Sequence, residues 1–274
     1  MIELLAKYSD CDAVLFSGGI DSTLVLTAAV KRGLMPLAVH VAMRNCGVDT
    51  KYAVSVAAKL GVPLAVRLMD LEEALGALPK VVKILGLFNP MEVVNCAVVY
   101  FGLEKALELG AKRVCTGDGG DELFLGYSFF QRYSPGELDR VRRRVVSRWY
   151  FCSFDLGRSL GVEVVAPFTA QEVVELALSL SPVEVLGKKP LRDVLRGYFP
   201  EVAEREKTPL ERGSCFDRLY GEMRQRAGDE VEYLKSLFKE LGLSYPTSPR
   251  GCPRCGYAYF DGSYCRMCGY ARGK

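Results

Sequence analysis

The chain has 274 residues, with 36 Lys and Arg against 33 Asp and Glu and 49% hydrophobic content. That balance excludes a disordered chain and supplies enough core for a fold without staples. No uncharged stretch exceeds 11 residues, too short for a membrane-crossing helix. The start Met1-Ile2-Glu3-Leu4 lacks a signal-peptide pattern, so a cytoplasmic enzyme with no membrane association is expected. Only six Asn and Gln occur, a depletion of thermolabile amides that points to a thermophilic source.

Strand-like and helix-like segments alternate through the first half. Residues 13–16 form a short apolar run ending in Ser17-Gly18-Gly19, and residues 21–32 carry apolar side chains at helical spacing. Residues 36–43 and 63–68 read as strands around a helix at 51–60; a long helix at 91–109 leads to a strand at 113–116. From Pro135 onward the pattern is mainly helical, with one more strand candidate at 162–166. Wholly apolar strands separated by helices predict an α/β fold, a five-stranded parallel sheet with helices on both faces. Such sheets bind ligands at the carboxyl ends of their strands, where the loops 17–22 and 116–121 fall.

The first loop, Ser17-Gly18-Gly19-Ile20-Asp21-Ser22-Thr23, is chemically an anion site. Glycines let the backbone approach an oxyanion, Ser17, Ser22 and Thr23 supply hydroxyls, and the helix start supplies free N–H groups. The lysine of a kinase-type phosphate loop is absent, and Asp21 beside a phosphate implies an intervening divalent metal. The plain alternative is a glycine-rich turn with Asp21 capping its helix. The loop resembles the Ser-Gly-Gly-x-Asp-Ser signature of the ATP pyrophosphatase, or PP-loop, family. That resemblance implies that Gly18, Gly19 and their neighbours grip the pyrophosphate of ATP while a substrate oxygen attacks the α-phosphorus.

The second loop, Thr116-Gly117-Asp118-Gly119-Gly120-Asp121-Glu122, sets three carboxylates among glycines before an aromatic run ending at Tyr127. Such density suits metal chelation and proton transfer better than core building. Here the chain resembles the synthetase domain of asparagine synthetases and β-lactam synthetases. The resemblance implies that Asp121 joins Asp21 in holding Mg²⁺, that Thr116 and Gly117 belong to the nucleotide site, and that Asp118 stands where the family's catalytic Glu is usual. It continues through Gly161–Phe168, with Val165 in place of Arg and Thr169-Ala170 in place of Leu-Asp. Lys188-Lys-Pro-Leu-Arg192 then implies a catalytic lysine at Lys188, and Arg205-Glu-Lys207 fits a further family pattern. With Ile2 at position 2 and a strand by Ala13, no N-terminal glutaminase is expected, and nitrogen would come from ammonia or a separate amidotransferase. The single histidine, His40, is read as a core or strand-end residue.

After a Pro- and Ser-rich join, residues 245–274 carry five cations against Asp261 alone, leaving a near-neutral body at 1–244. Cys252, Cys255, Cys265 and Cys268 form two Cys-x-x-Cys knuckles nine residues apart, the pattern of a structural Zn²⁺ ribbon with no open coordination position. Its arginines and tyrosines suit either packing or nucleic-acid binding. The arginines between Arg140 and Arg148 are open between a solvated face and an anion-binding one. Six further cysteines (Cys11, Cys46, Cys96, Cys115, Cys152, Cys215) lack short-range pairing; most are expected to be small buried hydrophobes, with disulfides left open for a thermophilic source.

The resulting expectation is an AMP-forming, ATP-dependent amide ligase acting on a small carboxylate, with aspartate the substrate the resemblance implies. The alternatives are a tRNA-modifying PP-loop enzyme that binds RNA through its ribbon, and an inactive adapter. Against the tRNA-modifying reading stands the lack of any Cys-x-x-Cys pair between Cys11 and Cys215, and against the adapter the retention of Asp21, Asp121 and Lys188.

Overall fold

In the computed structural model, residues 1–272 are described; Gly273 and Lys274, the end of the predicted ribbon, lie outside the described residues. Five strands form one parallel sheet: β1 (Ala13–Leu15), β2 (Leu37–Met43), β3 (Leu64–Met69), β4 (Arg113–Cys115) and β5 (Glu163–Val165), in the order β3-β2-β1-β4-β5. All four pairings are parallel, with Ala13 opposite both Leu37 and Val114. The predicted parallel sheet is thus present, each strand within one or two residues of its expected bounds.

Neighbouring strand residues face opposite sides, and they divide the molecule into two cores. Ala13, Val39 and Val41 join one core with the helices Leu71–Leu85 and Pro90–Glu108. Val14, Phe16 and Ala38 join the other with Ile20–Lys31 and Thr50–Leu60. Helices on both faces follow from the nearly all-apolar character of β1 and β2, broken only by His40, since neither face can be left to water. At the edge, β3 exposes Val66 and Leu68 on either side of the half-buried Arg67.

The helix Leu71–Leu85 has no counterpart among the predicted elements. It carries Pro79 in its interior, which removes one backbone donor and disguises an otherwise regular apolar stripe. The second half is helical as expected. No single helix among the described residues is long and apolar enough to cross a membrane.

The expectation that most body cysteines serve as small hydrophobes is overturned: all six are paired. Cys11–Cys115, Cys46–Cys215 and Cys96–Cys152 have Cα separations of 5.8, 6.0 and 6.2 Å. Partners 56 to 169 residues apart give no local spacing for a sequence reading to detect. Cross-links over such distances restrict the unfolded chain by about 4–5 kcal/mol each on an entropic account, less where loops overlap. Reduction with zinc present is therefore expected to lower the melting temperature by about 10 °C or more in scanning calorimetry. An unchanged melting temperature would show that these bonds do not support the fold.

Candidate active site at the carboxyl edge of the sheet

A cavity of about 230 Å³ opens where β1 and β4 end, floored by Leu15, Val39 and Val98 and rimmed by Asp21, Asp121 and Lys188. The first loop turns sharply at Gly18, whose φ of 71° is unfavourable for other residues; a Cβ there would also lie 2.7 Å from the Ala53 nitrogen. Ser17 Oγ accepts from the Gly19 N–H at 3.2 Å and lies 3.2 Å from Ser22 Oγ. Thr23 is fully buried, and its hydroxyl has no partner. Ser17, Gly19, Asp21, Ser22, Thr116 and Gly117 all line the cavity.

Lys188 holds the two loops together. It is 3% exposed, follows Gly187 in the left-handed region at φ 65°, and donates its N–H to Phe124 O at 2.9 Å. This local strain places its side chain between the acidic residues of both loops. Its Nζ donates to Asp21 Oδ2 and lies 2.7 Å from Asp121 Oδ1, the latter outside hydrogen-bond geometry. Lys207 donates to the other Asp121 oxygen. Burial favours neutral Asp21 and pushes its carboxyl up. Burial opposes ionisation of Asp121 as well, but Lys188 and Lys207 overcome it and pull that carboxyl down to about 2. Burial would lower Lys188, yet Asp121 and Asp21 raise it and keep it protonated.

Asp21 Oδ1 and Asp121 Oδ1 are both buried without a hydrogen bond. The unpartnered Asp21 oxygen, with Asp121 Oδ1 met by Lys188 only outside hydrogen-bond geometry, fits a hard divalent cation such as Mg²⁺ beside the hydroxyl-rich anion loop. Asp118 faces a different set of partners. Its Oδ2 accepts from Thr116 Oγ1 at 2.8 Å and Ser153 Oγ at 2.5 Å. Burial raises the Asp118 pKa, and those two hydrogen bonds oppose the rise.

Several residues to which the sequence reading gave no role also reach this site. Ser153, in the first turn of the helix Cys152–Leu160, lines the cavity. Arg205 donates to Gly18 O at 3.1 Å, pairs with buried Asp49 and stacks 4.1 Å over Tyr52. Arg192 fastens the turn before Lys188 by donating to Gly187 O at 2.9 Å. The Arg-x-Lys pattern at 205–207 was the available signal, while Ser153 had none. His40 is buried, bonded to Phe16 O at 2.9 Å and Thr50 Oγ1 at 3.0 Å, and burial lowers its pKa. It is a satisfied wall residue of the cavity.

The four tail cysteines converge elsewhere. Cys252–Cys268 and Cys255–Cys265 sulfurs are 3.7 Å apart, and all four lie within 4.8 Å of one another. A tetrahedron with metal–sulfur bonds of 2.3 Å has an edge of about 3.8 Å, so the set fits one zinc ion. Metal analysis of the purified protein is expected to give about one zinc per chain, lost in Cys265→Ser.

Glu122 is 8% exposed and accepts from Tyr127 OH at 2.6 Å. Burial pushes its pKa from 4.5 to about 7, against that hydrogen bond. Between these values the folded chain keeps a proton that the unfolded chain has released, so stability falls as pH rises through the window. Asp21 and Asp118, also raised, act in the same direction. Thermal melts without added magnesium should show a shallower decline between pH 4.5 and 7 in Glu122→Gln.

Residues 13–151 match the Asparagine synthase family model. A probable glutamine-hydrolysing asparagine synthetase of Dictyostelium discoideum is 28% identical over 221 residues, 72% of this chain and 40% of that protein. A putative glutamine-hydrolysing asparagine synthetase of Methanocaldococcus jannaschii is 26% identical over 275 residues, 81% of this chain and 50% of that one. Asparagine synthetase B of Escherichia coli is 26% identical, with 79% and 44% covered. The chain thus spans half or less of the length of these relatives. Among solved structures, a predicted tRNA methyltransferase subunit of M. jannaschii covers 71% of this chain and 92% of its own, at 19% identity and TM-score 0.35. The U34-tRNA thiolase NcsA of Methanococcus maripaludis, solved with a [4Fe-4S] cluster, covers 97% and 84% at 13% identity and TM-score 0.37. These last two likenesses are too loose to inform function.

Proposed function

Because the chain belongs to the asparagine synthase family, we propose that it is an ATP-dependent ligase that adenylates a small carboxylate and then aminates it. The observation that carries this reading is Lys188, buried between Asp21 and Asp121 where the two loops meet, with Asp118 on the same cavity rim.

ATP would lie with its phosphates on Ser17–Thr23 and its base on the apolar floor of Leu15, Val39 and Val98. Magnesium, held by Asp21 and Asp121, would neutralise charge on the phosphates. A carboxylate oxygen of the acceptor forms a bond to the α-phosphorus as the bond to pyrophosphate breaks. Lys188 is always charged in its site, so it can meet the negative charge growing on the α-phosphate and the leaving group without waiting for a proton. Lys207, 39% exposed and resting on Asp121, is free to turn toward the same oxygens. An amine, supplied as ammonia or by a separate amidotransferase, then forms the C–N bond while AMP leaves. Asp118, whose raised proton affinity suits the task, takes the proton lost by that nitrogen.

The tRNA-modifying alternative gains little from the placement of the cysteines. Outside the tail, all six are in disulfides, so among the described residues the nucleotide cavity has no free thiol to carry sulfur.

The test is pyrophosphate release from ATP and Mg²⁺ with aspartate and ammonium, followed by mass-spectrometric detection of asparagine and AMP. Both products are expected, and Lys188→Met should lower kcat by about 10²- to 10³-fold, the scale for losing one preorganised charge. Nucleotide binding without carboxylate-dependent pyrophosphate release, across a panel of small acids, would reject the ligase reading.

A further inference from the structure

The metal-ribbon tail is the one motif to which the proposed chemistry gives no task. Four of its aromatics are half-buried, with Tyr259 and Tyr264 exposed: Tyr245 packs on Phe88 and Phe238 at 5.3 and 5.7 Å, and Phe260 lies against Tyr270 at 5.9 Å. Arg254 pairs with Asp229 at 2.5 Å, and Asp261 with Arg144 at 3.6 Å. Cys252, Cys265, Met267 and Cys268 are part of the same core as the helix Pro90–Glu108. The tail is therefore built into the body.

Its remaining contacts fall on two places. At the start of the helix Pro90–Glu108, Phe88 N–H donates to Met267 O at 3.0 Å and Asn89 Nδ2 donates to Tyr264 OH at 2.6 Å. Gly269 sits so close to Asn89 that a Cβ would come within 2.6 Å of its Oδ1. Just ahead of the helix Cys152–Leu160, the Arg266 guanidinium lies 3.6 Å over the Tyr150 ring, whose hydroxyl donates to Asp155 at 2.6 Å. These two helices are the pair joined by Cys96–Cys152. From that joint the next residue, Ser153, donates to Asp118. The first helix also supplies Val98, Val99 and Gly102 to the cavity wall.

We infer that the metal-held tail is a positioning element for the acceptor side of the site, with Arg266, through Tyr150, fixing the helix start that presents Ser153 to Asp118. This rests on the proposed role of Asp118 for its catalytic consequence, but not for the mechanical link. Arg266 is a positioning residue, as it touches neither the cavity nor its loops. An exposed guanidinium on a ring contributes modestly, so a graded response is expected when it is removed.

The experiment compares the full-length, zinc-loaded protein with Arg266→Ala and Arg266→Lys, with metal content checked in each. Hydrogen exchange read by mass spectrometry should be about threefold faster in Arg266→Ala at residues 150–156 and 116–121, with residues 20–31 unchanged. Arg266→Lys, which keeps a cation over the ring, should recover most of the protection. With ammonium present, kcat for amide formation should fall by a similar factor with the KM for ATP unaltered. If Arg266→Ala loses its zinc, Tyr150→Leu removes the contact from the body side and must give the same pattern beyond that of Tyr150→Phe, which loses only the hydrogen bond to Asp155. Faster exchange confined to residues 250–272, or spread equally to 20–31, would overturn the inference. So would loss of tRNA binding in Arg266→Ala with exchange in the body unaltered, which would assign the tail to RNA. Coupled exchange in a protein that adenylates no carboxylate would uphold the brace and remove the ligase reading alone.

Discussion

One buried ammonium organises this molecule. Lys188 could not be left alone in the interior, because an unpaired charge there costs several kcal/mol. Two carboxylates answer it, one from each strand-end loop, so a single cation draws together chain segments 100 residues apart in sequence. The glycines of the second loop follow from the same constraint. A Cβ at Gly117 would lie 2.9 Å from the Asp21 Cβ, and one at Gly120 would strike the Asp21 carboxylate. Close approach by charged side chains, rather than turn geometry alone, explains why this loop is so poor in side chains.

The arrangement also divides labour between carboxylates that look alike in sequence. Asp121 has two cations and is held ionised; Asp21 has a share of one and is pushed up by burial. Asp118, three residues before Asp121, has hydroxyls instead of cations around it. Sequence distance of three residues thus separates a charge-holding role from a proton-holding one, and only the partners distinguish them.

Much of this was legible in the sequence because it was local. Apolar runs fix β1 to β5, and glycine-flanked Ser17–Thr23 and Thr116–Glu122 announce their chemistry by composition. What escaped was non-local or masked. The helix Leu71–Leu85 hides behind Pro79. Ser153 is an ordinary serine until folding brings it to Asp118 across 35 residues, and the six body cysteines carry no spacing that names their partners. The knuckles of the tail were plain, whereas its incorporation into the body's core depends on Phe88, Asn89 and Tyr150, which nothing in their own neighbourhoods marks.

The Cys46–Cys215 bond sets an order of construction. Cys46 stands just past β2, near the buried Asp49, and Cys215 adjoins Ser214 on the cavity wall. Since 169 residues separate them, Cys46 must wait as a free thiol through most of the chain's synthesis. During that wait Cys96, Cys115 and Cys152 are made, Cys11 being already in place, and each of the four is a wrong partner within reach. The cavity wall is consequently the last part of the body to be sealed, and closure is correct when Cys11–Cys115 and Cys96–Cys152 have formed first.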